Sequence, residues 1–500
     1  NLIIVGHHKS NESPWKSYKF STKELNWLQE IGSERTANLI LCVFAKPYAL
    51  SDIKSFDMID AVVMSYQNSE IAQEKTAEIV FGAVGATGKL PVTAHEEFPV
   101  HTGVQIKPLS RLGYSIPERV GMSSKGLRVI DELMSHGLDS LMFPGAQVLV
   151  ARKGKVIYQK SFGKPTYDSN EKITNDYIYD LASLTKILST LPMVMKMEEE
   201  GRIGLNNTFE ELVPNYSNTE IKNVTVLKAL SHYGRLPAWI PFYINTLDEN
   251  KKPSGEFYRN SPLPGFSTKV YDNLYLADAY KDSIYNRIGR QDLKSNRYRY
   301  SDVPYYVMKK VVEESYGQRL DGLTNNFLYN RIGANHTSYN PLEKFDKNRI
   351  VPSEEDNYYR YGTVQGYVHD MGAAMQAGVG GHAGLFSNSN DIAKIMQMYL
   401  QDGYYGGTKF FDSRTVKKFN TCYFCDNNVR RGVGFDKPQL QHSGPTCGCV
   451  SRKSFGHSGF TGTYTWADPE EEIVYVFLSN RTYPSASNTL LVKSGLRTRI

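Results

Sequence analysis

No stretch of this 500-residue chain approaches the roughly 18 consecutive apolar residues of a membrane-crossing helix, so no membrane span is expected. Charge of one sign is also scarce. There are 58 Lys and Arg against 52 Asp and Glu, a net of +6, with basic and acidic residues interspersed. That balance gives no footprint for a nucleic-acid partner. The densest basic stretch, Lys294 to Arg299, reads as a solvated loop. Cysteine is sparse: of five, four fall in two close pairs, Cys422-x-x-Cys425 and Cys447-x-Cys449, while Cys42 stands alone in an expected strand. The pairs suit a structural zinc site or two disulfides. An exported chain favours disulfides and the CxxC spacing favours zinc. There is no initiator methionine, no signal peptide, no internal repeat and no low-complexity tract. The apolar start, Leu2 to Val5, reads as the middle of a domain, with any targeting segment upstream in a longer precursor.

What is present fits a globular chain of two domains, with 40% hydrophobic and 22% charged residues. Up to residue 107, short apolar runs (Leu2 to Val5, Leu39 to Phe44, Ala61 to Ser65) alternate with helical patterns (Thr22 to Glu34, Ser69 to Phe81). Strands alternating with helices predict a parallel α/β layer. Residues 108–120, rich in turn formers, read as a linker, and a domain over 121–500 opens with a helix at Ser123. Gln147 to Ala151 and Val156 to Ser161 then read as a hairpin. The 34 tyrosines suit sugar or peptide binding and equally suit a tyrosine-rich surface.

Five Ser-x-x-Lys matches occur, at Ser13, Ser51, Ser161, Ser169 and Ser183. On a helix, residues three apart share a face, so the amine reaches back to the hydroxyl. A neutral lysine can then help activate a serine nucleophile. Only Ser183 is followed by a sustained helical pattern, from Leu184 to a stop at Gly201, bent at Pro192. That context singles out Ser183 and Lys186.

Three motifs follow one another at wide separation: Ser183-x-x-Lys186, Tyr300-Ser-Asp302 and His457-Ser-Gly459. Together they resemble the serine β-lactamase and penicillin-binding-protein superfamily, in its class C-like branch, over about residues 120–500. The resemblance implies an antiparallel sheet flanked by helices, with a helical subdomain, and an acyl-serine hydrolase needing no metal or organic cofactor. It implies Ser183, Lys186 and Tyr300 as catalytic residues, Tyr300 taking the serine proton as a phenolate that Lys186 stabilises. Asp302, His457, Gly459 and Phe460 would bind substrate, the Phe460 N–H joining that of Ser183 as an oxyanion hole. Phe460 to Ala467 and Ile473 to Leu478 would form an edge hairpin.

Two positions depart from the usual pattern. His457 replaces lysine, so recognition of a substrate carboxylate should be weaker or more pH-dependent. Asp302 replaces asparagine and, accepting only, keeps Lys186 protonated, which moves the base role to Tyr300. The segments Val368 to Asp370 and Gly378 to Ser387 resemble parts of the branch that border the site, with His369 and His382 as possible contacts. Leu230 to Pro237, which includes His232, fits a cleft wall or simple packing.

Segments of the first 107 residues (Phe44 to Tyr48, Ser65 to Ser69, Gly88 to Val92) resemble the end of the C-terminal, Rossmann-like α/β domain of family 3 β-N-acetylglucosaminidases. The resemblance implies an incomplete domain whose glycosidase barrel lies upstream in a longer precursor. It also implies peptidoglycan fragments as substrate and a periplasmic or otherwise exported location. An N-acetylmuramyl-L-alanine amidase is the first expectation, with a DD-carboxypeptidase, β-lactamase-like enzyme or small-ester esterase next. A catalytically silent muropeptide-binding module is the alternative of another class.

Overall fold

The computed structural model describes residues 1–10, 12, 13, 15–34, 37–441 and 444–500. The chain forms two compact units, Asn1–Gly113 and Tyr114–Ile500. In the first, β1 (Leu2–His8), β2 (Asn38–Phe44) and β3 (Ala61–Met64) form a parallel sheet in that order. Parallel strands need crossovers. Helix α1 (Thr22–Glu34) joins β1 to β2, and α2 (Glu70–Val80) follows β3, its start fixed by the Ser69 hydroxyl accepting from the Ala72 N–H. Leu39, Leu41 and Val43, every second residue of β2, are buried in one cluster with Leu28 of α1. The expected alternation of strand and helix is therefore present.

The second unit is built on a six-stranded sheet. Its strands are β4 (Gly113–Tyr114), β5 (Gly145–Arg152), β6 (Lys155–Gly163), β7 (Phe455–Ser458), β8 (Tyr464–Asp468) and β9 (Ile473–Ser479), in the order β7-β8-β9-β5-β6-β4. Pairs from β7 through β6 are antiparallel. Ala146, Val148 and Val150 of β5 share a core with Ile130 and Met134 of α3 (Ser124–Asp139). Gln147 points the other way. Its amide donates to the carbonyls of Thr174 and Tyr177 and accepts the Ser389 N–H at the start of a helix spanning Ser389–Leu400. A central strand covered on both faces reads as a continuous apolar run, and its one fully buried polar side chain, Gln147, is hydrogen-bonded.

Three expectations change. Residues 114–120 are part of the second unit, since β4 joins the sheet and Val120 lies in its core. The Pro117–Val120 turn closes on Gly121 at φ 77°, so the turn formers there make a fixed corner rather than a linker. The helix after Ser183 is composite, a 3-10 turn over Ala182–Leu184, a π turn over Lys186–Thr190 and then α4 (Leu191–Glu199). Pro192 offers no N–H to the preceding turn. The freed carbonyls of Ile187 and Leu188 instead accept the hydroxyls of Tyr399 and Tyr329. Finally, residues 460–463 turn instead of extending, and His457 belongs to a separate edge strand, β7.

The clustered cysteines are paired as Cys422–Cys425 and Cys447–Cys449, and Cys42 is free and buried. This replaces the zinc alternative. The two members of each pair are 3 and 2 residues apart, near enough to bond to each other, which leaves no thiolate for a metal. No group of metal-binding side chains occurs among the described residues. Such short loops restrict the unfolded chain little, so the bonds fix local shape more than global stability. Thiol titration of the denatured, unreduced protein should find one reactive thiol per chain; five would mean that neither pair is oxidised.

Candidate active site

Of the five Ser-x-x-Lys matches, only Ser183 has the lysine on its hydroxyl. Lys186 Nζ lies 2.9 Å from Ser183 Oγ. The other four serines are occupied locally. Ser13 and Ser169 accept from the N–H two residues on, Ser51 donates to the Tyr48 carbonyl, and Ser161 donates to Asn175. The π turn that begins at Lys186 leaves its amine on the Ser183 hydroxyl of the preceding turn.

The nucleophile turn is held from below by Asp180. One carboxylate oxygen accepts the Ala182 N–H at 2.8 Å and the other the His369 N–H at 2.6 Å. Burial raises the pKa of this carboxyl, although the backbone donors oppose the rise. Ala182, just before Ser183, has φ 45°, an uncommon conformation for a residue with a β-carbon. Strain of this kind persists only where the surroundings over-determine it. Here they include the strand β7 and the turn after it. Thr461 and Thr463 donate their hydroxyls to the carbonyls of Asp180 and Leu181. A β-carbon at Gly459 would lie 2.5 Å from the Leu181 carbonyl oxygen and 2.0 Å from Thr463 Oγ1. Gly459 therefore brings β7 against the nucleophile turn; the expected close approach to substrate is first a close approach to this turn.

Tyr300 donates its hydroxyl to Ser183 Oγ at 2.9 Å, so the serine oxygen sits between a phenol and an amine. Lys186 is wholly buried and also contacts the His382 carbonyl at 3.1 Å and Asp302 Oδ1 at 2.7 Å. Burial alone would lower its pKa, but Asp302 and Tyr300 outweigh that and hold the ammonium above its ordinary value. Asp302 is therefore engaged by Lys186. For Tyr300 the expectation is corrected. Burial pushes the phenol up, Lys186 pulls it down and Asp302 pushes it up again, with a net rise.

His457 is corrected as well. Its Nδ1 lies 2.8 Å from the Ser458 carbonyl, its Nε2 is buried without a hydrogen-bond partner among the described residues, and burial, then the charges of Arg431 and Lys186, hold its pKa well below the ordinary range. Burial there opposes the charged imidazolium, against the expectation of a pH-dependent charge at this position. The Phe460 ring is 54% exposed and lines the cleft. Among the described residues, no acceptor takes the Phe460 N–H.

The glycine-rich segment is laced to the site. The Leu385 N–H donates to Thr185 Oγ1, and the Gly381 carbonyl accepts the Thr190 hydroxyl. A β-carbon at Gly381 would meet the Tyr305 carbonyl oxygen at 2.1 Å. His382 is paired with Asp370 at 2.7 Å, and His369 lies 3.0 Å from Glu354. Both histidines line the cleft. His232 does not; its ring is buried 4.6 Å from that of Tyr300 and its Nδ1 accepts the Ser301 N–H.

Six of the seven residues expected from the motifs border one cleft of about 880 Å³, and the seventh, Lys186, is buried against Ser183. The cleft also has residues that no motif marked. These include Arg430, Arg431, Arg481, Arg497 and Glu354. Their one mark in the sequence is the doublet Arg430-Arg431 before Gly432.

The family model described as "Beta-lactamase" matches residues 130–494. The chain belongs to this family. It is thus a hydrolase of the β-lactamase superfamily. A protein of Escherichia coli K12 described as "Putative D-alanyl-D-alanine carboxypeptidase" is 31% identical over 398 residues, covering 74% of this chain and 85% of that protein. A protein of the same description from Salmonella agona is 29% identical over 401 residues, covering 74% and 86%. Among solved structures, EstCE1, described as a hydrolase with promiscuous acyltransferase activity, aligns over 74% of this chain and 98% of its own with TM-score 0.54 at 16% identity. The penicillin-binding protein homologue of Pyrococcus abyssi aligns over 75% and 77% with TM-score 0.53 at 19% identity. At these identities the structural matches speak for the fold.

Proposed function

We propose that this member of the family cleaves an amide of peptidoglycan peptides through an acyl-Ser183 intermediate, acting as a D-alanyl-D-alanine carboxypeptidase. The observation that carries the reading is the Ser183 oxygen held 2.9 Å from both Lys186 Nζ and Tyr300 Oη at the base of a cleft. The Ser183 proton passes to a Tyr300–Lys186 pair that is one proton short. With Lys186 held as ammonium by Asp302, the missing proton is that of Tyr300. The phenol then returns a proton to the leaving nitrogen. The N–H groups of Ser183 and Phe460 receive the oxyanion.

The carboxypeptidase reading is preferred over the amidase because of cleft charge. The carboxylates that line it are engaged: Asp302 by Lys186, Glu354 by His369, Asp370 by His382 and Asp436 by Arg430. Arg481 and Arg497 donate instead to backbone carbonyls. That surplus suits a substrate ending in a free carboxylate, as a D-alanyl-D-alanine peptide does. Its two relatives carry the matching description. The substrate implies a cell-envelope location, in keeping with the paired cysteines.

The test is mass spectrometry of defined muropeptides incubated with wild type and with Ser183→Ala. The expected product is free D-alanine, with a fluorophosphonate adduct on Ser183 in the wild type only. Release of the intact peptide from the muramyl lactyl group would make the enzyme an amidase. Absence of both product and adduct would leave a binding module.

A further inference from the structure

Seven side chains face Tyr300 in the cleft wall. They are Ser183 and Lys186 from the nucleophile helix, Asp302 and Tyr305 around the start of the helix Val303–Tyr316, His232 under the ring, His457 from β7, and Arg431. Lys186 and Asp302 are an ion pair at 2.7 Å and largely cancel. The two histidines are buried, and burial together with nearby cations holds both well below the usual imidazole range. Ser183 and Tyr305 carry no charge. That leaves Arg431, whose guanidinium carbon lies 5.4 Å from the Tyr300 ring centroid.

Arg431 comes from none of the three motifs. Its Nη2 donates to the Tyr298 hydroxyl at 3.0 Å and its Nε lies 3.4 Å from Asp436 Oδ1. Asp436 is shared, since Arg430 pairs with the same oxygen, and Lys437 packs beside them. One carboxylate thus faces two guanidinium groups, and the cluster keeps a positive charge. Arg431 Nη1 and Nε are buried without a hydrogen-bond acceptor. Atoms so shielded are poorly placed to meet an entering carboxylate, whereas a desolvated cation over an aromatic face acts strongly on that ring.

We propose that Arg431 is a positioning residue that stabilises the phenolate of Tyr300, supplying from the loop after Cys425 the cation that β7 lacks because His457 stands in place of lysine. The inference rests on Tyr300 being the base under the proposed function. The phenolate, with its full negative charge, gains more from the guanidinium over its face than the neutral phenol does. Removing the cation therefore raises the pH at which Tyr300 ionises, by roughly two units for a unit charge at this separation and an effective dielectric constant near 20.

The test places 3,5-difluorotyrosine at position 300 and follows its ionisation by fluorine NMR, which needs no turnover and so reports separately from the proposed reaction. In Arg431→Met the midpoint should rise by about one unit or more. In Arg431→Lys, which keeps the charge, it should stay near the wild-type value. His457→Lys introduced into Arg431→Met should bring it back down. An unmoved midpoint in a folded Arg431→Met protein would overturn the proposal. Should Arg431→Met not fold, His457→Lys and Arg431→Lys decide. A midpoint that falls with the added lysine and is retained with the conservative one supports it, and any other pattern overturns it.

Discussion

Tyr300→Phe should leave a folded protein whose turnover is lower by about 10²–10⁴-fold, the usual worth of a positioned acid–base group. The variant keeps the ring, its neighbours His232 and His457 and the buried packing beneath it, so its far-ultraviolet dichroism and melting temperature should stay close to wild type. It loses the hydroxyl that contacts Ser183 at 2.9 Å. Lys186 cannot take over, because its pairing with Asp302 keeps it protonated. In the wild type, kcat/KM should climb with pH above neutrality, since the phenol has been raised by burial and by Asp302 and its ionised form grows with pH. That climb should be absent in Tyr300→Phe. Near-normal turnover in a folded variant would remove Tyr300 from the mechanism.

The contrast between Tyr300 and Arg431 explains what a sequence reveals of such a site. Ser183, Lys186, Tyr300 and Asp302 announce themselves because the chemistry demands fixed spacings on helical turns, and those spacings persist in the chain as short motifs. The strands β5, β6 and β9 and the helix α3 are legible for a related reason, that burial imposes a periodicity. Arg431 has no such constraint. It reaches Tyr300 from a separate loop, and only tertiary structure brings it within 5.4 Å of the ring. The bend after His457 is not legible in the chain, because Thr461 and Thr463 have strand-like side chains while their hydroxyls are taken up by the carbonyls of Asp180 and Leu181. Likewise, a proline in an apolar run signals a bend. It does not signal that Tyr329 and Tyr399 will take the freed carbonyls and let a π turn persist. Several of the 34 tyrosines are thereby accounted for as buried hydrogen-bond donors rather than as a ligand surface.

Asp302→Asn should change which residue acts as base. Breaking a buried ion pair costs about 3–5 kcal/mol when the remaining charge stays put. Lys186, wholly buried, escapes part of that cost by shedding its proton, because burial favours the neutral amine once Asp302 no longer opposes it. The sign with pH follows from the raised pKa of Lys186 in the wild type. Its pairing contributes stability fully below the ordinary lysine value, and that contribution is lost as pH rises through the raised folded value. In Asp302→Asn the folded Lys186 is neutral while the unfolded one is charged, so that variant gains stability as pH rises and its gap to wild type should narrow across neutral pH, as urea titrations at a series of pH values can read. For catalysis, a neutral Lys186 lying 2.9 Å from Ser183 Oγ can accept the serine proton itself. Tyr300→Phe should then cost less in the Asp302→Asn background than in the wild type, with a coupling of about 1–3 kcal/mol between two residues that share the same buried amine. Strict additivity in that double-mutant cycle would mean that Asp302 does not set the protonation state of Lys186, and the assignment of the base to Tyr300 would lose its physical ground.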